Sequence, residues 1–137
     1  MYFRNVLIIF LLPFLLFIGC KKDNQITNQQ LIQGTWDATT LVVENYYRNA
    51  KTGATTVRYS NEFVIFKGAQ IVEFSSGFGF HEYKMSSDGQ TLTMGATLAV
   101  GIKHKIRTLT ASTLVFSREF IYNENYTDIY IYSYNKR

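Results

Sequence analysis

Apolar and polar residues alternate along most of this chain with the period of two that a half-buried strand requires, and no stretch carries a helical apolar stripe of useful length. Residues 31–43, which include Leu31, Ile32 and Trp36, read as the first strand. Residues 45–55, with Asn49, Lys51 and Gly53, lose the alternation and read as a polar loop. Strand signals then follow in quick succession over 56–66, 70–74, 78–85, 90–94, 102–109, 113–122 and 126–134. Between them lie Ser75-Ser76-Gly77, Ser86-Ser87-Asp88-Gly89, Thr110-Ala111-Ser112 and Asn123-Glu124-Asn125, with a break near Gly95. The turn ending in Gly89 is the clearest, because glycine accepts positive φ at no steric cost. About eight strands at hairpin spacing predict an all-β fold, either an antiparallel sandwich or a closed up-and-down barrel. Closure of a barrel removes the exposed sheet edges that a sandwich retains.

The start of the chain follows another pattern. Residues 6–18 are continuously apolar apart from Pro13, with Arg4 before them and Gly19-Cys20 after them. A basic start, a short apolar middle and a small residue at the cut make a secretory signal peptide. The run is shorter than the roughly 20 residues of a bilayer-spanning helix. Phe17-Ile18-Gly19-Cys20 resembles the lipobox of bacterial lipoproteins, with Phe17 where leucine is commonest. The resemblance implies cleavage before Cys20, a diacylglyceryl thioether on its sulfur and an acylated amino terminus. It places the protein in the cell envelope, at the outer membrane on its periplasmic or its surface side. The chain thus divides into a leader (1–19), a polar tether (20–30) and one domain (31–137).

Composition narrows the picture. The chain has 137 residues, with 10 Tyr, 11 Phe and a single Pro, a balance that favours pleated surfaces. Cys20 is the only cysteine, so the domain folds without an internal disulfide. The formal charge of +4 is spread along the chain, its densest part being the alternation Lys103, Lys105, Arg107. That distribution does not call for nucleic acid.

Gly34-Thr35-Trp36 on the first strand, followed by a meander of hairpins, resembles lipocalins and the small lipocalin-like domains of Bacteroidetes-type lipoproteins. Phe74-Ser75-Ser76-Gly77, the stretch 83–92 and Leu109-Thr110-Ala111-Ser112-Thr113-Leu114 extend the likeness over 31–137. The resemblance implies an eight-stranded up-and-down barrel in which Gly34 and Trp36 form a structural plug at the closed end. It also implies a basic cover over Trp36 from near the last strand, for which Arg118 and Arg137 are the candidates. This domain is shorter than a typical lipocalin and lacks the family's paired cysteines.

Few residues suit chemistry. The histidines, His81 and His104, have no metal-pair spacing, so neither a metal site nor a cofactor is expected. Strand alternation puts His104 with Ile102 and Ile106 on the inward face, as a core histidine or a ligand contact. Glu73 and Glu119 read as outward-facing, and no serine has a nucleophile-elbow context. In the last strand Tyr126, Tyr130, Tyr132 and Tyr134 share one parity and Ile129 and Ile131 the other, so either face could be inside. Phe80, His104, Tyr130 and Tyr132 are the candidate ligand contacts. Two non-enzymatic functions fit: a monomeric binding module for a small apolar or amphipathic ligand, or a filled barrel that contacts an envelope protein. An open cavity in the barrel would separate them.

Overall fold

Inward side chains on successive strands draw this chain into a closed wall. The computed structural model describes residues 27–68, 70–76 and 81–137, with only the backbone at His81. The leader, Cys20 and Phe80 lie outside the described residues. A four-residue helix, α1 (Asn28–Leu31), precedes nine strands: β1 (Gly34–Tyr47), β2 (Ala50–Arg58), β3 (Phe63–Lys67), β4 (Ile71–Phe74), β5 (His81–Met85), β6 (Thr91–Gly95), β7 (Ile102–Leu109), β8 (Thr113–Ile121) and β9 (Tyr126–Lys136). All pairings are antiparallel. Strands β3 to β9 follow one another as a meander, and β1 pairs with both β3 and β9, closing an eight-stranded up-and-down barrel. Of the sandwich and the closed barrel that the alternation left open, the up-and-down barrel is the observed fold.

Strand β2 is the ninth and lies outside the closed ring. The first residues of β1, Gly34 to Asp37, pair with β3, whereas Thr40 to Tyr47 pair with β2. Strand β9 accompanies β1 from Trp36 to Tyr47. The upper halves of β1, β9 and β8, together with β2, therefore rise past the rim as a four-stranded flap. Residues 45–55, expected to be a loop, are thus a hairpin. Arg48 and Asn49 join its strands at φ 50° and 64°, positive at both positions as a two-residue type I′ turn requires. The alternation failed here for a physical reason: β2 is exposed along almost its whole length, so burial selects no apolar face. The single strand expected over 56–66 is likewise broken between Arg58 and Phe63, where Asn61 has φ 67°.

The core is made by one parity of each barrel strand. Trp36, Val64, Phe66, Val72, Tyr83, Leu92, Met94, Ile106, Leu114, Phe116 and Tyr134 are all buried. At the lower end the barrel is plugged. Trp36 is fully buried and its Nε1 donates to the carbonyl of Ile32 at 2.7 Å. Lys136 places its ammonium 4.9 Å from the Trp36 ring centre and donates to the Leu31 carbonyl at 3.0 Å.

The expected cover from Arg118 or Arg137 is therefore supplied by Lys136. It is Lys136 that faces Trp36 across the β1–β9 ladder. Arg137, of opposite parity, turns outward to pair with Asp37 and lies over Phe63. Arg118 sits at the far end of the barrel over Phe120, 4.0 Å from its ring centre.

Order also begins before Leu31. Thr27, assigned by its polar setting to the tether, forms a capping box with Gln30 that starts α1. Gln29 and Gln33 donate to the Tyr83 hydroxyl at 2.9 and 2.6 Å. That hydroxyl in turn donates to the Gly68 carbonyl at 2.5 Å, so α1 is fastened beneath the barrel through side chains that carry no hydrophobic signal.

Candidate functional site

Among the described residues the upper end of the barrel is left uncovered. Strand β6 ends at Gly95, where a Cβ would lie 2.7 Å from the Cα of Gly101. Only a glycine allows the chain to double back so closely. A 3-10 turn, Leu98–Val100, lies between these two glycines and forms part of the rim, with Val100 71% exposed.

Below that rim lies a cavity of about 450 Å³, within the range of about 300–1,000 Å³ usual for small-molecule sites. Its floor and walls are mainly apolar and aromatic: Phe74, Met94, Ile102, Phe116, Tyr132 and Tyr134, with His104 as a polar member. Phe116 is the centre of the aromatic group. Its ring centre lies 5.3 Å from that of Tyr132, 5.4 Å from that of Tyr134 and 5.2 Å from that of His104, the last edge-on. A smaller recess of about 170 Å³ beside it shares Phe74, Tyr132 and Tyr134 and reaches Tyr59 and Glu62.

The open question of the last strand is thereby answered within the barrel: Tyr132 and Tyr134 face inward, while Tyr126, on the flap, is exposed. Tyr134 is buried among core residues, and Tyr132 lines the cavity. Burial raises the pKa of both phenols, so they remain neutral hydrogen-bonding groups. Tyr130 shares this parity but does not reach the cavity. It packs on Phe120 at 4.6 Å, higher on the flap, because β8 and β9 extend past the rim there.

His104 is 8% exposed, and its Nδ1 donates to the Ile102 carbonyl at 3.1 Å in the tautomer that contact favours. Burial is the main force lowering its pKa. The carbonyls of Ile102 and Leu92 oppose that shift, and the charge of Arg118 adds to it. The imidazole is thus a neutral, positioned polar group in an apolar wall, at once core histidine and cavity contact. The carboxylates are elsewhere. Glu73 pairs with Lys67 at 2.8 Å and Glu119 is exposed. Among the described residues no group of three His, Cys, Asp or Glu side chains could hold a metal ion.

Sequence reasoning missed the Gly95–Gly101 crossing and the contributions of Phe116 and Met94. Their inward parity was legible in β8 and β6, but nothing in the alternation distinguishes a residue under the open rim from one in the filled core. Comparison with protein-family models, curated proteins and solved structures finds no match to this chain.

Proposed function

We propose that this protein is an envelope lipoprotein whose barrel holds a small apolar or amphipathic ligand without transforming it. The observation that carries the reading is the cavity of about 450 Å³ at the open end, walled by Phe74, Phe116, Tyr132 and Ile102. Apolar walls with one or two positioned polar groups favour retention of a ligand over reaction with it. The up-and-down barrel plugged by Trp36 supports the lipocalin-like reading. The anchor rests on Cys20 within Phe17-Ile18-Gly19-Cys20. Two or more acyl chains on that residue hold a protein stably at a membrane. Because α1 enters beneath the plugged end, a tether from Cys20 leaves the cavity mouth on the side away from the anchor. The protein works as a monomer, at the outer membrane, with no nucleic acid partner.

Native mass spectrometry of residues 20–137 carrying Cys20→Ser, purified gently from the native host, tests the ligand. A reproducible small-molecule adduct, lost in Ile102→Trp, is the expected result. A bare polypeptide mass together with failure to bind apolar fluorescent probes would overturn it. The anchor has a separate test: Cys20→Ser in the full chain abolishes fatty-acid labelling and releases the protein from the membrane fraction. Undiminished labelling of that variant removes the anchor from the reading.

A second reading, an interaction protein, draws on the tip of the flap, where Ile121 and Tyr122 are 71% and 62% exposed. Absence of probe binding would favour it.

A further inference from the structure

The barrel wall has a seam. Strands β7 and β8 are paired from Lys105–Ser117 downward. Above that level β7 is held only by β6, through Lys103 and Ile102, and β8 only by β9, from Arg118 to Ile121. No ladder of backbone hydrogen bonds joins the two strands there. Outside this parting lies a cleft of about 400 Å³ whose walls include Lys103, His104 and Lys105 on one side and Ser117, Arg118 and Glu119 on the other. His104 also lines the inner cavity. It is therefore the common wall between an apolar chamber and a cleft rich in cations.

The cations of this cleft are not neutralised by ion pairs, although Arg118 lies over the Phe120 ring. Lys103, Lys105 and Arg118 form no ion pair with a carboxylate among the described residues. Glu119 supplies the one negative charge of the walls. At the base Arg107 donates to the buried Ser117 hydroxyl at 2.9 Å. A bulge in β7 between Ile106 and Thr108 sets Arg107 there as an extra residue. Three cations gathered beside an apolar chamber, with the single carboxylate of Glu119 among the cleft's walls, match a molecule that has an anionic head and an apolar body.

We propose that the β7–β8 cleft is the head-group subsite of the barrel cavity and that the ligand is an amphipathic anion, its carboxylate or phosphate held by Arg118, Lys103 and Lys105 and its apolar part in the chamber beyond His104. This inference rests on the binding reading above and narrows it to one ligand class. The guanidinium gives planar, two-point recognition of the head, while the lysines act as point charges.

The test uses the protein isolated from expressing cells and an uncharged probe, N-phenylnaphthylamine, displaced in turn by dodecanoate, dodecyl phosphate and dodecanol. The three competitors share one apolar chain and differ in the head. The expected result is displacement by one or both anions at concentrations about tenfold or more below that for dodecanol, the scale of a hydrogen bond to a charged group. Which anion displaces better separates a carboxylate from a phosphate ligand. In Lys103→Gln/Arg118→Gln the preference falls to near unity, with dodecanol unchanged. Lys105→Gln, an outward substitution that spares the barrel wall, lowers the preference partially and keeps the test decisive if the double variant is misfolded. Equal displacement by all three in the parent protein would overturn the head-group subsite and leave the binding reading standing. Failure of the probe itself to bind removes both.

Discussion

The Lys136 ammonium lies 4.9 Å from the centre of the Trp36 ring and donates to the Leu31 carbonyl at 3.0 Å. One side chain near the end of the chain thus closes the plug made near its beginning and fastens the end of α1. A cation–π contact at such a site is worth about 0.5–2 kcal/mol, and the hydrogen bond adds about 1 kcal/mol. Lys136→Ala is expected to lower unfolding free energy by about 1–2 kcal/mol in urea titration. Lys136→Met, which keeps the apolar stem, recovers part of that loss. Equal stability of Lys136→Ala and the parent would show that Trp36 needs no cover.

Gly34 begins β1 at φ +108°, and a Cβ there would meet the Lys136 side chain at 3.3 Å. Gly34→Ala is expected to cost about 1–3 kcal/mol, from the strained backbone and the displaced lysine together. Combined with Lys136→Ala the costs fall short of additive, since the smaller side chain leaves room for the methyl. Strict additivity in a double-mutant cycle would separate the two effects.

Tyr83 joins three elements through one oxygen, accepting from Gln29 and Gln33 and donating to Gly68. Tyr83→Phe keeps the ring against Phe66, 5.0 Å away, but strands those partners. The loss is expected to be about 1–2 kcal/mol. Amide exchange should rise selectively in α1, and protection there equal to the parent would show that α1 is held by other contacts.

Burial holds the His104 pKa below its ordinary 6.5. Between the folded value and 6.5 the unfolded chain binds a proton that the folded chain does not. Stability is consequently full above the unfolded pKa and declines as pH falls through that window. His104→Gln is expected to flatten this decline in urea midpoints measured from neutral to mildly acidic pH. Glu44 and Asp88, whose carboxyls are held down by hydrogen bonds from Lys51 and Ser86, act only at lower pH. An unchanged slope in the variant would assign the dependence to groups other than His104.

Asn49 occupies φ 64° at the tip of the flap, where glycine has no Cβ penalty. Asn49→Gly is expected to stabilise the β1–β2 hairpin by a few tenths to about 1 kcal/mol, read as slower amide exchange in β2. Faster exchange would mean that the asparagine side chain supports the turn more than its backbone strains it.

Fold legibility varied with burial. The β7 pattern showed His104 and Ile106 inward because both sides of that strand meet sharply different surroundings. In β8 the same contrast leaves Leu114 and Phe116 at the buried positions of the alternation. In β2 neither face is buried, so the alternation that signals a strand is missing and only pairing to β1 makes it one. The site was legible in parts. His104 lies where its parity puts it, whereas the alternation left the face of Tyr132 open, and Tyr130, with the same parity as Tyr132, packs on the flap beyond the cavity.

By itself the sequence determined the all-β class, the meander and its main turns, and the inward parity of His104. Those features depend on local periodicity and on steric demands that single residues express. The tertiary structure decided how high each inward residue stands in the barrel, where Lys136 rather than its neighbours meets Trp36, and where β7 parts from β8. These depend on register and closure between distant strands, in which a displacement of one or two residues changes every partner while the pattern of apolar and polar positions stays the same.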